Sequence, residues 1–157
     1  MKRLAIFPLL FLVAACSTPR AGTTQVHAQP GHGAISIQIV PNPVVAQRVS
    51  GNTYDFPFDV VVRETGGHPV TIDRVSADVY AVGGLHVANE SYDAARIASL
   101  GYSTSVPPSG ELRYHFVPRK SVTDERLFSS VSAQIRVDGH DETNTPTNAS
   151  VTVTVTR

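Results

Sequence analysis

Apolar residues alternate with polar ones over most of the chain, and the alternation marks out one extended strand after another. Ile35, Ile37 and Ile39 are interleaved with Ser36 and Gln38, the period of two expected of a half-buried strand. Pro41-Asn42-Pro43 ends that strand, because proline cannot donate to a ladder. Residues 53–64 carry the strongest pattern. Tyr54, Phe56, Phe58, Val60 and Val62 point one way, and Asp55, Asp59 and Arg63 the other. Pro57 on the outward face predicts an edge position or a bulge. This aromatic-then-valine face is expected at the centre of the core. Thr65-Gly66-Gly67-His68-Pro69 reads as a turn, with glycines open to positive φ.

Further on, Val70 and Ile72 share one parity while Val75, Ala77 and Val79 share the other. A bulge near Asp73-Arg74 would reconcile the two phases. Gly83-Gly84 breaks the strand. Residues 85–101 show no clean period. Irregular structure with a strand around Arg96-Ile97 is the expectation there, with one helical turn or a short edge strand over residues 92–100 as alternatives. Val106-Pro107-Pro108-Ser109-Gly110 is a turn that launches a strand over residues 111–117, with Leu112, Tyr114 and Phe116 inward and Pro118 closing it. A long strand beginning at Leu127 or Phe128 puts Val131, Ala133, Ile135 and Val137 on one face. Asp138-Gly139 is expected to open a hairpin loop running to about Asn148. Val151, Val153 and Val155, interleaved with Thr152, Thr154 and Thr156, form the last strand. Nothing after residue 33 sustains a helical period. About seven short strands with regular turns predict an all-β chain, an antiparallel two-sheet sandwich.

The order of these features resembles the immunoglobulin-like and fibronectin-type-III-like modules of bacterial surface proteins over residues 34–157. The features are Pro41-Asn42-Pro43 near the start, the Tyr54-to-Val62 alternation in the second strand, Pro108-Ser109-Gly110 before the fifth, and Val137-Asp138-Gly139 with Asp141 before the last hairpin. The resemblance implies an immunoglobulin-like sandwich and names no ligand. The Cys-Trp-Cys set of antibody domains is missing, since the chain has one cysteine and no tryptophan.

The first residues decide the expected address. Lys2 and Arg3 precede an apolar run from Leu4 to Ala15, and Cys16 follows it. About a dozen apolar residues are too few to span a hydrocarbon core of about 30 Å, but they suit a secretory h-region. Ala14-Ala15-Cys16 resembles the lipobox of bacterial lipoprotein precursors, with Val13 where that family most often has leucine. The resemblance implies that residues 1–15 are a removable signal peptide and that Cys16 carries the lipid, palmitate included. It places the protein in the cell envelope, anchored to the membrane. By the same resemblance, Ser17 rather than aspartate after the cysteine implies the outer membrane, facing the periplasm, in a cell with two membranes. Cleavage after Ala28, an uncleaved anchor, and a buried thiol at Cys16 are the other readings. A single cysteine excludes an internal disulfide. Residues 16–33 are small, polar and rich in Gly and Pro, as a flexible tether should be.

Thirteen basic and thirteen acidic residues give a formal net charge of zero. No basic patch stands out, which argues against a nucleic-acid partner. Removing the leader leaves about 140 residues, enough for one domain. Candidate chemistry is sparse. No Gly-x-Ser-x-Gly, His-Glu-x-x-His or Cys-x-x-Cys occurs, so no catalytic residue and no cofactor is assigned. His27 and His32 in the tether offer no preorganised metal site. The best cation candidate is Asp138, His140, Asp141 and Glu142, whose carboxylates could hold calcium. Their spacing does not match an EF-hand, and the competing reading is a solvated hairpin loop, in which Asp138-Gly139 and Asn144 shape the turn. Sugar binding needs exposed aromatic platforms, and Tyr80, Tyr92 and Tyr102 are the candidates left outside the core. The expected function is therefore a non-catalytic binding or structural module of the envelope, with a second envelope protein as a partner. A small hydrolase or metal-dependent enzyme and a carbohydrate-binding module are the alternatives. A concave pocket with converging polar groups would favour the enzyme, whereas a module should have convex ends and a filled interior.

Overall fold

Thirteen strands and one short helix account for most of the residues that the computed structural model describes, which are 23–25 and 29–157. The leader and Cys16 lie outside the described residues. In chain order the strands are β1 (Thr23–Gln25), β2 (Ile35–Val40), β3 (Val44–Val45), β4 (Gln47–Ser50), β5 (Thr53–Asp55), β6 (Phe58–Glu64) and β7 (Val70–Tyr80). They continue as β8 (His86–Asp93), β9 (Ser105–Val106), β10 (Glu111–Phe116), β11 (Arg119–Ser121), β12 (Ser132–Asp141) and β13 (Pro146–Thr156), with helix α1 (Ala94–Ser99) between β8 and β9.

Two sheets face each other. One has the order β1-β2-β6-β10 and the other β3-β13-β12-β7-β8, with β9 paired to β7. A three-stranded ribbon, β11-β5-β4, shares no ladder with either sheet but buries Tyr54 in the common core. Alternation builds the core between the sheets. Ile35, Ile37 and Ile39 from β2 are buried, as are Val60 and Val62 from β6. So are Ile135 and Val137 from β12 and Val151 and Val153 from β13. Each such side chain contributes about 1.5–3 kcal/mol when taken fully out of water. After Pro41-Asn42-Pro43 the chain changes sheets, and β3 runs parallel to β13 with Val44 opposite Val155. With β2-β6-β10 facing β13-β12-β7-β8, this is an immunoglobulin-like sandwich.

The phase change in β7 is a bulge. Arg74 pairs with Asp138 and Ile72 with Gly139, which leaves Asp73 as the extra residue. Other expectations need correction. Residues 53–64 are not one strand, because Pro57 lacks an N–H. The Phe56 N–H donates instead to the Pro118 carbonyl at 3.0 Å, so Tyr54 joins the small ribbon and β6 begins afresh in the main sheet. Arg96-Ile97 belongs to α1, not to a strand. Asp93 caps that helix by accepting from the Arg96 N–H at 2.8 Å, and Ile97 is buried. The strand of that region is β8, whose inward residues Ala88, Glu90 and Tyr92 lack an aliphatic period. The long strand starts at Ser132, after a 3-10 turn over Glu125–Ser129. Finally, β1 falls within the segment expected to be a tether and pairs antiparallel with β2, Thr24 opposite Ile37.

Candidate functional site

At one end of the sandwich, two buried carboxylates hold the point where the chain joins the first sheet. Glu64 ends β6 on the same inward parity as Val60 and Val62. Its Oε1 accepts from the N–H groups of Ala34 (3.3 Å) and Gly66 (2.5 Å), and its Oε2 from those of Gly67 (2.9 Å) and Ser109 (2.8 Å). Burial alone raises its pKa, but the four backbone donors outweigh burial and hold it below the ordinary value. Gly66 is required here: a Cβ would lie 2.2 Å from the His32 carbonyl oxygen. Asp141 ends β12 on the inward parity of Val137. It accepts from the Thr143 hydroxyl (2.7 Å), from the N–H groups of Thr143 (2.9 Å) and Thr145 (2.9 Å), and from Gly33 N–H (3.2 Å). Its Oδ2 lies 3.1 Å from His32 Nδ1. The Thr143 hydroxyl is the chief cause of its depressed pKa, acting against burial. Both carboxylates are saturated by the protein's own donors, so they clasp the chain and have no lone pair to offer a substrate.

That arrangement disperses the cation candidate. The Asp138-Gly139 pair does not open a loop, because β12 runs on to Asp141 and the turn occupies residues 142–145, with Asn144 at φ 61°. Gly139 instead sits opposite the bulge, where a Cβ would approach the Thr71 carbonyl oxygen to 2.4 Å. Asp138 bonds to Arg136 (2.7 Å) and faces Arg74 (3.4 Å). His140 reaches Asp73 at 3.0 Å, Glu142 lies 3.4 Å from His68, and Asp141 points inward. Among the described residues no three His, Cys, Asp or Glu side chains converge on a point that could hold a metal ion. The tyrosines left outside the core are not open platforms either. Tyr92 stacks on Phe116 with centroids 4.3 Å apart, and Tyr102 packs edge-on against Tyr114 at 5.6 Å and donates to the His115 carbonyl. Tyr80 packs edge-on against His86.

The other end of the sandwich holds the feature that sequence reasoning missed. A cavity of about 430 Å³ lies there between the β3-β13-β12-β7-β8 sheet and the β11 segment with the 3-10 turn, so the interior is not filled as expected of a simple module. Phe58, Val79, Ile135, Val153 and Val155 line its walls, and Phe56, Leu127 and Phe128 line its floor. Three further lining residues are the alanines Ala77, Ala88 and Ala133. Small side chains at inward positions leave the gap that valine or isoleucine would fill. Three alanines on inward parities of neighbouring strands are the signal that a sequence reading could have used. The floor is fixed by Tyr54, whose ring meets Phe128 edge-on at 5.1 Å. Its hydroxyl accepts from Arg48 (2.8 Å) and donates to Glu125 (2.6 Å), the first residue of the 3-10 turn.

Val87, Asn89, Lys120 and Thr123 form an exposed rim. Glu90 and Lys120 supply the charged groups of the lining, and they pair, Nζ to Oε2, at 2.8 Å. Glu90 also bonds Arg96 at 3.2 Å, while Arg96 lies over the Tyr92 ring at 4.1 Å. Lys120 is the main cause of the depressed pKa of Glu90. Pocket size is in the range of small-molecule sites, but the polar groups do not converge as a nucleophile, base and oxyanion hole would.

No family model matches the chain, and no curated protein matches it significantly. Solved structures do resemble it. A structural-genomics target, SoR45, superposes with a TM-score of 0.55 at 9 % identity, covering 82 % of this chain and 90 % of that one. A Bordetella pertussis protein given the name ApaA reaches 0.49 at 14 % identity, over 83 % and 99 %. A CARDB domain from Pyrococcus furiosus, solved in complex with di-metal ions, reaches 0.37 at 17 % identity, over 83 % and 94 %. At these identities the likeness concerns the fold alone, and the fold is an immunoglobulin-like β-sandwich.

Proposed function

We propose that this protein is a lipid-anchored, non-catalytic binding module of the cell envelope, held at the membrane through Cys16 and receiving an apolar ligand in the cavity at its open end. The observation that carries the binding half is the cavity. Its walls are aliphatic and aromatic, and its two charged side chains are tied to each other rather than aimed at a reacting centre. The anchoring half rests on Lys2, Arg3, the apolar run and the Ala14-Ala15-Cys16 ending. Two or three acyl chains, each adding about 0.8 kcal/mol per buried methylene, give stable attachment. In a two-membrane cell, Ser17 directs this reading to the outer membrane.

Labelled palmitate tests the anchor. Expressed with its leader in a two-membrane bacterium, the full chain should take up label and sediment with membranes, and Cys16→Ser should lose both. Label retained by the Cys16→Ser variant, or an unlabelled soluble parent, would overturn the anchoring half.

A further inference from the structure

The charges at the cavity rim say more about the ligand than the apolar lining does. Two cations, Lys120 and Arg96, share the single carboxylate of Glu90 at 2.8 and 3.2 Å, so the group carries one net positive charge. The two cations are not equivalent. Arg96 is held in place by the Tyr92 ring at 4.1 Å and by a hydrogen bond to the Ser91 carbonyl at 3.0 Å. Lys120 is 44 % exposed, and its ammonium has three donors. It alone of the pair lines the cavity. An anion arriving at the rim can therefore take a donor from Lys120 while Arg96 keeps Glu90 neutralised. Behind the rim, the walls offer only dispersion contacts and exclusion of water to whatever follows that anion.

We infer that the cavity binds a single-chain aliphatic monoanion, its hydrocarbon tail against the apolar lining and its carboxylate on Lys120 Nζ. This rests on the binding-module reading and gives that site its ligand class. Burial of apolar surface supplies most of the affinity, and the lysine supplies orientation and the choice of headgroup. Val87 on the rim, about half exposed, and Leu85 just before it, exposed by two-thirds, give a chain an apolar path inward.

Titration calorimetry on the full chain carrying Cys16→Ser, which has no acyl group of its own to compete, tests the inference. The probes are dodecanoate, dodecanol and dodecyltrimethylammonium below their aggregation concentrations. Dodecanoate is expected to bind one to one, about tenfold more tightly than dodecanol, with the cationic probe weakest. Lys120→Met keeps the aliphatic stem and removes the charge, so it should bring dodecanoate to the affinity of dodecanol. Ala88→Phe should obstruct the cavity and weaken both by at least about tenfold, and circular dichroism will show whether that variant is folded. If it is not, Lys120→Met decides alone, since that side chain lies on the surface. The inference fails if dodecanoate does not bind, if all three probes bind alike, or if binding by the folded variants equals the parent's. Such a failure leaves the palmitate result at Cys16 untouched, and loss of the anchor leaves these affinities untouched.

Discussion

The two ends of the sandwich solve the same problem in opposite ways. Where β6 and β12 finish, polar backbone that would otherwise lie buried is satisfied by Glu64 and Asp141, and side chains close over the join. At the other end, inward positions of β7, β8 and β12 carry alanine and the gap stays open behind a charged rim. A carboxylate with several backbone donors specifies one arrangement of loops, because each unpaired buried N–H costs free energy. An alanine specifies nothing beyond the absence of a side chain. The closed end therefore has the character of a structural joint, and the open end is left able to receive something.

Removing the joint should give the largest effect. Glu64→Ala leaves the N–H groups of Ala34, Gly66, Gly67 and Ser109 without their acceptor and should cost about 3 kcal/mol, read from urea unfolding. Acid should do the same more gradually. Glu64 and Asp141 have folded pKa values below their ordinary ones, so they release protons more readily folded than unfolded. The stability they contribute is complete above the unfolded carboxylate range, and it is lost as pH falls through the lower folded values. Urea midpoints from pH 7 to pH 3 should fall steeply for the parent and more shallowly for Glu64→Gln. Equal slopes would remove Glu64 from this role.

A smaller contrast comes from adding volume at each end. Ala149 in β13 is 1 % exposed and faces the packed interior, so Ala149→Leu should destabilise by about 2 kcal/mol through overpacking. Ala88→Phe has the cavity before it, so thermal melts should place it near the parent or above it. A comparable loss in both variants would mean that the open end is packed as tightly as the closed one. The smallest effect is expected at the rim. Lys120→Met should change stability by less than about 0.5 kcal/mol, as for other exposed ion pairs, while altering the headgroup preference in calorimetry.

The sandwich itself was legible because its signal is local. A period of two in Ile35 to Ile39, Tyr54 to Val62 and Val151 to Val155 states which face is buried before any partner strand is known, and the phase change at Asp73 announces its bulge. The same logic misled where a residue has more than one use. Asp138-Gly139 has the composition of a turn, yet the glycine is there because a neighbouring strand passes within 2.4 Å of where its Cβ would be. Asp138, His140, Asp141 and Glu142 are adjacent in sequence, but alternation turns Asp141 inward, away from Asp138 and His140, and the outward groups are taken up separately by Arg136, Asp73 and His68.

The inward faces of the regularly alternating strands and the leader-like start ending at Cys16 thus follow from the order of residues alone. That Glu64 and Asp141 would each find several donors, that Ala77, Ala88 and Ala133 would come together around one gap, and that Lys120 would meet Glu90 at its rim was decided only in three dimensions. The long-range part of each, Ala34 and Ser109 on Glu64, Gly33 on Asp141, Ala133 around the same gap as Ala77 and Ala88, and Lys120 on Glu90, joins residues tens of positions apart. The distance between such residues follows from which strands become neighbours, and alternation within a strand carries no information about that.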